Sequence, residues 1–335
     1  MATELNALLG ERIEEAKLNI TVLGVGGCGC NTITRLVEAE VEKALLVAVN
    51  TDSIALNRTK AHRKVLIGET TTGGRGCGGD ITKGRAAAEE DLEDVLDAIG
   101  RPDILIATCG LGGGTGSGGM PVILSAVKER MPNVNIISIC TLPFKYESTE
   151  RVKNAQAGLR EILDYSDMTI VNLNDMLLRK VGNIPVSYAF KYMDQILVQT
   201  IQSLVSMLMA PGAVIHVDFA DFVAITRNSG LGFVGHGKAR RVKKATIDAI
   251  ESRLLDAELT DARGCLIYVE CPVTTSLAEA GEAPKLITEK YGVEKVIWGL
   301  KTRDDLREAR VMVVASGVKS KTVEGLIGTT EKLVK

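Results

Sequence analysis

The sequence contains no run of about 18 apolar residues, so we expect neither a membrane-spanning helix nor direct membrane insertion. It also lacks a dominant charge, because 40 basic and 42 acidic residues give a formal net charge of −2, which excludes nucleic acid as a partner. Only eight prolines and no polar low-complexity tract argue against long linkers. The seven cysteines form no complete disulfide framework, and no signal peptide is recognisable, so we expect a cytoplasmic protein.

Glycine is abundant, and seven of the ten residues at 110–119 are glycine. The apolar run at 103–109 predicts a buried parallel strand before them, and the apolar spacing at 120–130 predicts a helix after them. Backbone N–H groups of such a turn can wrap around a ligand, and the helix N-terminus favours negative charge. Thr115 and Ser117 add hydroxyls, but no lysine completes a GxxxxGK[ST] P-loop. We therefore predict a phosphate-binding loop, with a flexible connector as the alternative.

Two further glycine-rich segments decide between classes of nucleotide. Residues 24–29 satisfy GxGxxG between predicted strands at 19–24 and 44–50, and Asp52 follows, as in dinucleotide-binding proteins. Residues 67–84 form a third glycine-rich loop. One such loop suffices for a dinucleotide, whereas three at the carboxyl ends of strands suggest an enclosed polyphosphate. A nucleoside triphosphate is favoured, and a dinucleotide-binding oxidoreductase is the alternative.

The remaining periodic segments predict an α/β fold. Further strands are expected at 135–140, 168–173, 264–271, 295–300 and 310–315. Helices are expected at 5–18, from about 31, and at 85–99, 146–163, 185–209, 240–254, 277–291 and 320–335. This order predicts a Rossmann-like parallel-sheet domain at 1–184, a long central helix at 185–210, a smaller α+β C-terminal domain at 211–317 and a helical tail at 318–335.

The motif GGGTGSG at residues 112–118 resembles the signature loop of the FtsZ/tubulin family of polymerising GTPases, and within it the archaeal type of FtsZ. Matching segments recur in the family's order from about Asn19 to Gly317. The resemblance implies a cytoskeletal GTPase of cell division that binds GTP or GDP with Mg²⁺ and polymerises head to tail. It implies the chain itself as a partner, membrane-anchor and division proteins as further candidates, and a location at the division site.

The resemblance also implies a set of nucleotide contacts. Glu147 and Arg151 match the family's sugar- and phosphate-contacting pair, although Ser148 replaces the usual glycine. Without the resemblance, that pair is equally well explained as an i,i+4 ion pair on a helix. No protein ligand for a metal ion is identified. The implied nucleotide-binding residues are Gly26, Gly27, Gly29, Asn31, Asn50, Asp52, Gly76, Gly78, Gly79, Gly112, Gly113, Gly114, Thr115, Gly116, Ser117, Glu147, Arg151, Asn174, Phe190 and Asp194.

Four of these residues would recognise the base, and by resemblance Asn31 helps to hold the guanine. By resemblance, Asn174 reads the base, Phe190 stacks on guanine and Asp194 bonds to it. A carboxylate can accept both hydrogens from the N1 and N2 edge of guanine, which adenine does not offer. From the sequence alone, Phe190 is more simply a core residue of an apolar helix.

Residues 213–222, AVIHVDFADF, resemble the family's NxDFAD loop, which completes the site of the neighbouring subunit. Asp218 and Asp221 match the two acids and are implied to polarise the attacking water, whereas His216 stands where the family usually has asparagine. The alternative is a helix-capping aspartate. Because of His216, a GTP-gated structural filament with little or no hydrolysis remains a second functional hypothesis.

Overall fold

The computed structural model describes residues 18–41, 43–182, 185–209 and 213–328, and a single mixed β-sheet runs through them. Its strands are β1 Ile20–Val25, β2 Leu45–Asn50, β3 Arg63–Leu66, β4 Ile104–Gly110, β5 Asn135–Leu142, β6 Met168–Leu173, β7 Gly230–Ala239, β8 Gly264–Pro272, β9 Val296–Arg303 and β10 Ala309–Ser316. They lie in the order β3-β2-β1-β4-β5-β6-β7-β10-β8-β9.

All neighbouring strands from β3 to β7 are parallel, whereas β10 runs antiparallel to both β7 and β8. Every residue of β1, β5 and β6 is buried, as expected for strands covered by helices on both faces. The predicted fold class, a parallel α/β sheet followed by a smaller α+β layer, is therefore confirmed.

Helices cover both faces of the sheet. They are α1 Gly26–Glu38, α2 Ser53–Arg58, α3 Glu69–Thr72, α4 Ile81–Glu90, α5 Leu92–Ile99, α6 Met120–Arg130, α7 Thr149–Tyr165, α8 Asn174–Val181, α9 Val186–Leu208, α10 Phe219–Thr226, α11 Val242–Ser252, α12 Leu277–Ala280, α13 Glu282–Tyr291 and α14 Lys321–Ile327. One apolar cluster joins α4 to α7 and α11 to α14 on one face, and a second joins α1, α9 and α10 on the other.

Three predicted helices differ from the observed ones. The helix expected from about residue 31 begins at Gly26, so the glycines after β1 form its first turn, whose N–H groups lack intrahelical partners. The helix expected at 85–99 is divided into α4 and α5 at Asp91, whose carboxylate accepts a 2.6 Å hydrogen bond from the N–H of Gly68. The helix expected at 277–291 is divided into α12 and α13, because Pro284 cannot donate to the preceding turn.

Two strands, β3 and β7, were not predicted. β3 is a short edge strand with two exposed residues, and β7 contains four glycines in ten residues. A Cβ at Gly235 would lie 1.9 Å from the carbonyl oxygen of Ala249, and one at Gly237 equally close to that of Ala245. Glycine therefore lets α11 pack directly on the backbone of β7, which hides the strand from a search for apolar alternation.

The long apolar helix predicted at 185–209 is observed as α9. No helix in the described ranges is long and apolar enough to cross a membrane. The sheet continues from β6 to β7 through three residue pairs, so the proposed domain boundaries at 184, 210 and 317 stay predictions. The helix predicted at 5–18 lies almost wholly outside the described residues, as does the tail beyond residue 328.

His236, at a partly buried position of β7, predicts a measurable loss of stability in acid. Its Nε2 lies 3.3 Å from the hydroxyl of Thr200 on α9, and burial lowers the pKa of the imidazole to about 4. Between that value and the unfolded pKa of about 6.5, only the unfolded chain binds the proton, so the free energy of unfolding falls as the pH falls. From about pH 7.5 to about pH 5 we expect a loss of about 2 kcal/mol.

Urea denaturation of the wild type and of His236→Gln at both pH values measures this effect. Glutamine keeps a polar group near Thr200 but does not titrate, so its acid-dependent loss should be smaller by about 2 kcal/mol. Equal losses in the two proteins would contradict a neutral, partly buried His236.

Candidate nucleotide-binding site

The three glycine-rich segments lie at the carboxyl edge of the parallel strands. Residues 26–29 directly follow β1, residues 110–119 follow β4, and residues 67–84 follow β3. Because parallel strands of one sheet end at the same edge, the chain returns to this edge after each of them. The contacts described below join these segments, so the structure places the predicted phosphate loops side by side.

The loop after β4 is tightly closed. Ser117 accepts a 2.8 Å hydrogen bond from the N–H of Gly112 through its hydroxyl, and Gly112 has a φ of +102°, which favours glycine. Residues 115–119 form a π-helical turn that leads directly into α6. A Cβ at Gly116 would lie 2.5 Å from the carbonyl oxygen of Gly110, and one at Gly114 equally close to that of Asp80. These glycines therefore serve close backbone packing.

Three side chains bind these segments to one another. The hydroxyls of Thr51, after β2, and Thr115 lie 2.7 Å apart. The thiol of Cys77 lies 3.4 Å from the first hydroxyl and 3.5 Å from the second. Of these three residues, only Thr115 is a predicted site residue, because hydrogen bonds between three distant segments produce no recognisable spacing in the sequence.

Asn154 on α7 is a second residue that sequence analysis missed. Its amide nitrogen donates to the carbonyl oxygens of Gly79 at 2.7 Å and Gly112 at 3.3 Å, so it holds two of the loops together. A polar residue at a buried position of an amphipathic helix was the available signal.

Four of the predicted glycines leave open space, namely Gly27, Gly78, Gly79 and Gly113. A Cβ at Gly27 or Gly113 would meet no protein atom within 4 Å, whereas a Cβ at Gly29 would lie 2.6 Å from the backbone of Gly24. Gly29 therefore serves strand–helix packing, while Gly27 and Gly113 leave space beside the loops. We call the three glycine-rich segments, residues 24–29, 67–84 and 110–119, the glycine cradle. The N–H groups at the start of α1 and the absence of side chains there fit a phosphate group.

The segment at 67–84 depends on glycine for its path. Gly76, Gly78 and Gly79 all have positive φ, and Gly26 shares this conformation. Asp80 begins α4 by accepting a hydrogen bond from the N–H of Thr82 at 2.8 Å. The path of the loop is therefore set by these glycines and by the cap of α4.

Asn50 and Asp52, after β2, both bond to the backbone. The side-chain oxygen of Asn50 accepts from the N–H of Thr51 at 2.9 Å, and the carboxylate of Asp52 caps α2 by accepting from the N–H of Ala55 at 2.9 Å. Both side chains therefore shape the loop that carries Thr51.

Glu147 and Arg151 form the i,i+4 ion pair that was the simpler explanation of their spacing. Glu147 also accepts a 2.8 Å hydrogen bond from the N–H of Phe144. The backbone of Arg151 lies beside Gly112, since a Cβ at Gly112 would approach the Arg151 carbonyl oxygen to 3.2 Å. Ser148, the departure from the family pattern, caps α7. The pair therefore stands at the rim of the phosphate loop.

Asp194 on α9 is held by Arg35 on α1, which sequence analysis did not name. The Arg35 guanidinium approaches the same carboxylate oxygen at 3.0 Å through Nε and 2.8 Å through Nη2. Burial raises the pKa of the Asp194 carboxyl, and the charge of Arg35 opposes that shift. The second carboxylate oxygen is left for other partners.

The remaining base-recognition residues lie on three helices. The side-chain oxygen of Asn174, at the start of α8, is buried and accepts no hydrogen bond from the described residues, so it suits a ligand donor. Asn31 is exposed on α1, which also carries Arg35. The side chain of Phe190 lies outside the described residues, and its stacking role stays a prediction.

The acidic stretch lies at the opposite edge of the sheet. Asp218 caps α10 by accepting a 2.7 Å hydrogen bond from the N–H of Asp221, as the simpler interpretation predicted. Asp218 and His216 are exposed, and Asp221 is partly exposed. One oxygen of Asp218 is thus structural, whereas its other oxygen and the Asp221 carboxylate have no partner among the described residues.

Contacts of α10 fix that location. Thr226 at its end donates to the side-chain oxygen of Asn135, the first residue of β5, at 3.1 Å. Arg227 donates to the carbonyl oxygen of Asn133 at 3.0 Å. Because Asn133 precedes β5 and Asn135 is its first residue, the end of α10 lies at the amino edge, across the sheet from the glycine loops.

The cysteines provide neither disulfides nor a metal site. All seven have free thiols, and the described residues contain no group of three or more His, Cys, Asp or Glu placed to hold a metal ion. Burial raises the pKa of Cys28 to about 12 and that of Cys30 to about 11, so both remain protonated at neutral pH.

Comparisons with known proteins give one consistent result. The sequence model of the Tubulin/FtsZ family GTPase domain matches residues 19–182, and that of the FtsZ family C-terminal domain matches residues 230–319. The chain is 39% identical over 316 residues to Cell division protein FtsZ 1 of Pyrococcus woesei, covering 93% of this chain and 85% of that protein. It is 37% identical to Cell division protein FtsZ of Methanothermobacter thermautotrophicus, with coverage of 99% and 88%.

Solved structures agree with these matches. An empty FtsZ dimer from M. jannaschii superposes with a TM-score of 0.85 at 37% identity, covering 96% of this chain and 97% of that chain. The likeness therefore extends over both the parallel part of the sheet and the β7–β10 layer.

Proposed function

Because this chain belongs to the tubulin/FtsZ family of GTPases, we propose that it binds GTP at the carboxyl edge of its sheet and that the next copy in a filament completes hydrolysis. The chain is a filament-forming GTPase of cell division, as its family membership establishes. The dinucleotide-binding alternative is therefore abandoned.

One observation supports the proposal above others. The glycine cradle and the two acids lie at opposite edges of one sheet, so no single copy can bring Asp218 or Asp221 to its own phosphates. Stacking the carboxyl edge of one copy on the amino edge of the next unites the two halves. Such a contact does not close on itself, so repetition generates a filament.

Within that composite site, each group has a proposed role. The N–H groups around Gly27 and Gly113 stabilise negative charge on the phosphates, and the ring formed by Thr51, Cys77 and Thr115 holds the loops in place. Asp221 and the free oxygen of Asp218 orient the attacking water. Mg²⁺, bound mainly through phosphate oxygens, would neutralise charge on the transferred phosphate.

Guanine selectivity would come from Asp194 on α9 and from Asn174 at the start of α8. Asp194, oriented by Arg35, accepts hydrogen bonds from the N1 and N2 donors of guanine, and the buried oxygen of Asn174 accepts another. Adenine lacks a donor at N1 and would leave these oxygens unpaired, which is costly in a buried site. We therefore expect GTP to bind at least about 100-fold more tightly than ATP.

Phosphate release across a series of protein concentrations, with light scattering in parallel, tests the proposal. With GTP and Mg²⁺, release per molecule should rise steeply above a threshold concentration together with scattering, and ATP should give neither signal. A release rate per molecule that does not depend on concentration would contradict catalysis in trans. Scattering without release would favour the structural filament instead, and would assign the loss to His216.

The location of the protein, its attachment and its domain boundaries are also proposals. We propose a cytoplasmic protein at the division site, attached through separate membrane-anchor and division proteins. The domain boundaries at residues 184, 210 and 317 separate the nucleotide-binding part, the central helix and the part that carries the acids to the neighbouring copy.

A further inference from the structure

Exposed apolar side chains are concentrated near the nucleotide edge. Among the described residues, seven large apolar side chains are markedly exposed: Ile54, Tyr146, Tyr188, Tyr192, Val214, Val273 and Leu277. Three of them are tyrosines, half of the six in the chain. Amphipathic aromatic rings left in solvent are typical of protein–protein contact surfaces.

Tyr146 is the most exposed of the seven, at 74%. It follows β5 at the carboxyl edge, immediately before Glu147 at the rim of the phosphate loop. Its ring stacks on the buried Phe144 with centroids 5.0 Å apart and planes 9° apart. The ring is therefore held in a fixed orientation, which lowers the entropy lost when a partner covers it.

Three further exposed side chains lie around the same edge. Ile54 is in α2, which follows β2 and begins at the cap formed by Asp52. Tyr188 and Tyr192 occupy the first turns of α9, ahead of Asp194, which Arg35 ties to the first helix of the cradle. Ile54 thus follows β2, Tyr146 follows β5, and the two tyrosines begin α9. We call the four side chains together the apolar rim.

The acidic stretch carries an exposed apolar side chain of its own. Val214 is 59% exposed and lies four residues before Asp218. Its N–H bonds to the carbonyl oxygen of Leu300 at 2.8 Å, which fixes the backbone on β9. When the acids approach the phosphates of another copy, Val214 is brought towards the apolar rim of that copy.

We propose that the apolar rim is the energetic centre of the contact between successive copies, with Tyr146 as its anchor and the segment around Val214 of a second copy as its occupant. The inference rests on the proposed function and adds to it which side chains supply the affinity. A few aromatic anchors commonly carry most of the binding energy of an interface. GTP itself is bound by other groups, so assembly and nucleotide affinity should be separable.

Tyr146→Ala tests this inference. We expect the threshold concentration for assembly with GTP to rise about tenfold or more, while the affinity of the monomer for a fluorescent GTP analogue stays within about twofold. Tyr146→Phe keeps the ring and its stacking on Phe144, and should assemble close to the wild-type threshold. Val214→Asp, on the opposing surface, should raise the threshold as strongly as Tyr146→Ala.

Leu277→Ala is the control of matched exposure, because Leu277 is 69% exposed but belongs to α12, which follows β8 and not a strand that leads into a glycine-rich loop. It should leave the threshold unchanged. An unchanged threshold for Tyr146→Ala, with the wild type assembling normally, would overturn the inference and leave the proposed function intact. A wild type that binds GTP without assembling would instead remove the proposed function on which the inference rests.

Discussion

Asp218→Asn should lower the rate of GTP hydrolysis about 100- to 1000-fold while leaving assembly with GTP in place. Asparagine is as good a helix cap as aspartate, so the hydrogen bond to the N–H of Asp221 and the start of α10 are retained. What disappears is the charge that orients water. Phosphate release measured above the assembly threshold reports this loss, and light scattering reports that filaments persist.

Asp218→Ser separates the two functions of this residue in a second way. Serine also caps helices but has no carboxylate, so it should match Asp218→Asn in hydrolysis and differ little in thermal stability. If either variant hydrolyses GTP at the wild-type rate, Asp218 is only a cap, and Asp221 alone must be considered for catalysis.

Mixing two defective variants tests catalysis in trans directly. Asp218→Asn keeps an intact cradle, and a variant with a weakened cradle keeps intact acids. Where the weakened-cradle variant covers the nucleotide bound to Asp218→Asn, the contact combines an intact cradle with intact acids. Hydrolysis in the mixture should therefore exceed the sum of the separate rates.

Gly84→Ala should weaken GTP binding at least about tenfold and also destabilise the protein by about 1–3 kcal/mol. The added methyl would lie 2.1 Å from the carbonyl oxygen of Gly114, so α4 and the loop after β4 must separate. The effect runs against helix propensity, because alanine in place of glycine within a helix is normally stabilising. Calorimetry without nucleotide and titration with a fluorescent GTP analogue measure the two losses.

Gly113→Ala provides the contrast. Its methyl would meet no protein atom within 4 Å, so the melting temperature without nucleotide should stay unchanged while GTP binding weakens about tenfold. Gly325→Ala in α14 is the control, since its methyl is also unopposed but lies outside the cradle. If Gly113→Ala binds GTP like the wild type, the open space beside Gly113 is not the phosphate site.

The sequence predicted the parallel sheet well because each buried strand is a short apolar run of its own. β4, β5 and β6 were placed within two residues of their observed ends. β7 was missed because its glycines serve contacts with α11, and those contacts depend on a helix that comes later in the chain. Apolar periodicity carries no information of that kind.

The candidate site likewise contains features that the sequence reveals and features that it does not. Glycine loops at strand ends are visible in sequence, because backbone approach demands glycine at particular places. The ring of Thr51, Cys77 and Thr115, the amide of Asn154 and the pairing of Arg35 with Asp194 are not visible, because each joins residues far apart in the chain. Local spacing likewise could not decide whether Asp218 caps a helix or faces solvent. In the structure Asp218 caps α10 and is also exposed to solvent.

The pairing between β6 and β7 has a mechanical consequence. It involves three residue pairs, from Met168 with Gly230 to Ile170 with Gly232, whereas β7 and β10 share eight. A filament under tension pulls on every pair of hydrogen-bonded strands between its two contact surfaces. The β6–β7 pair is the shortest, so it has the fewest hydrogen bonds to resist shear. The sheet should therefore separate between β6 and β7 before it separates elsewhere. The nucleotide-binding strands and the β7–β10 layer would each stay intact as a separate elastic element.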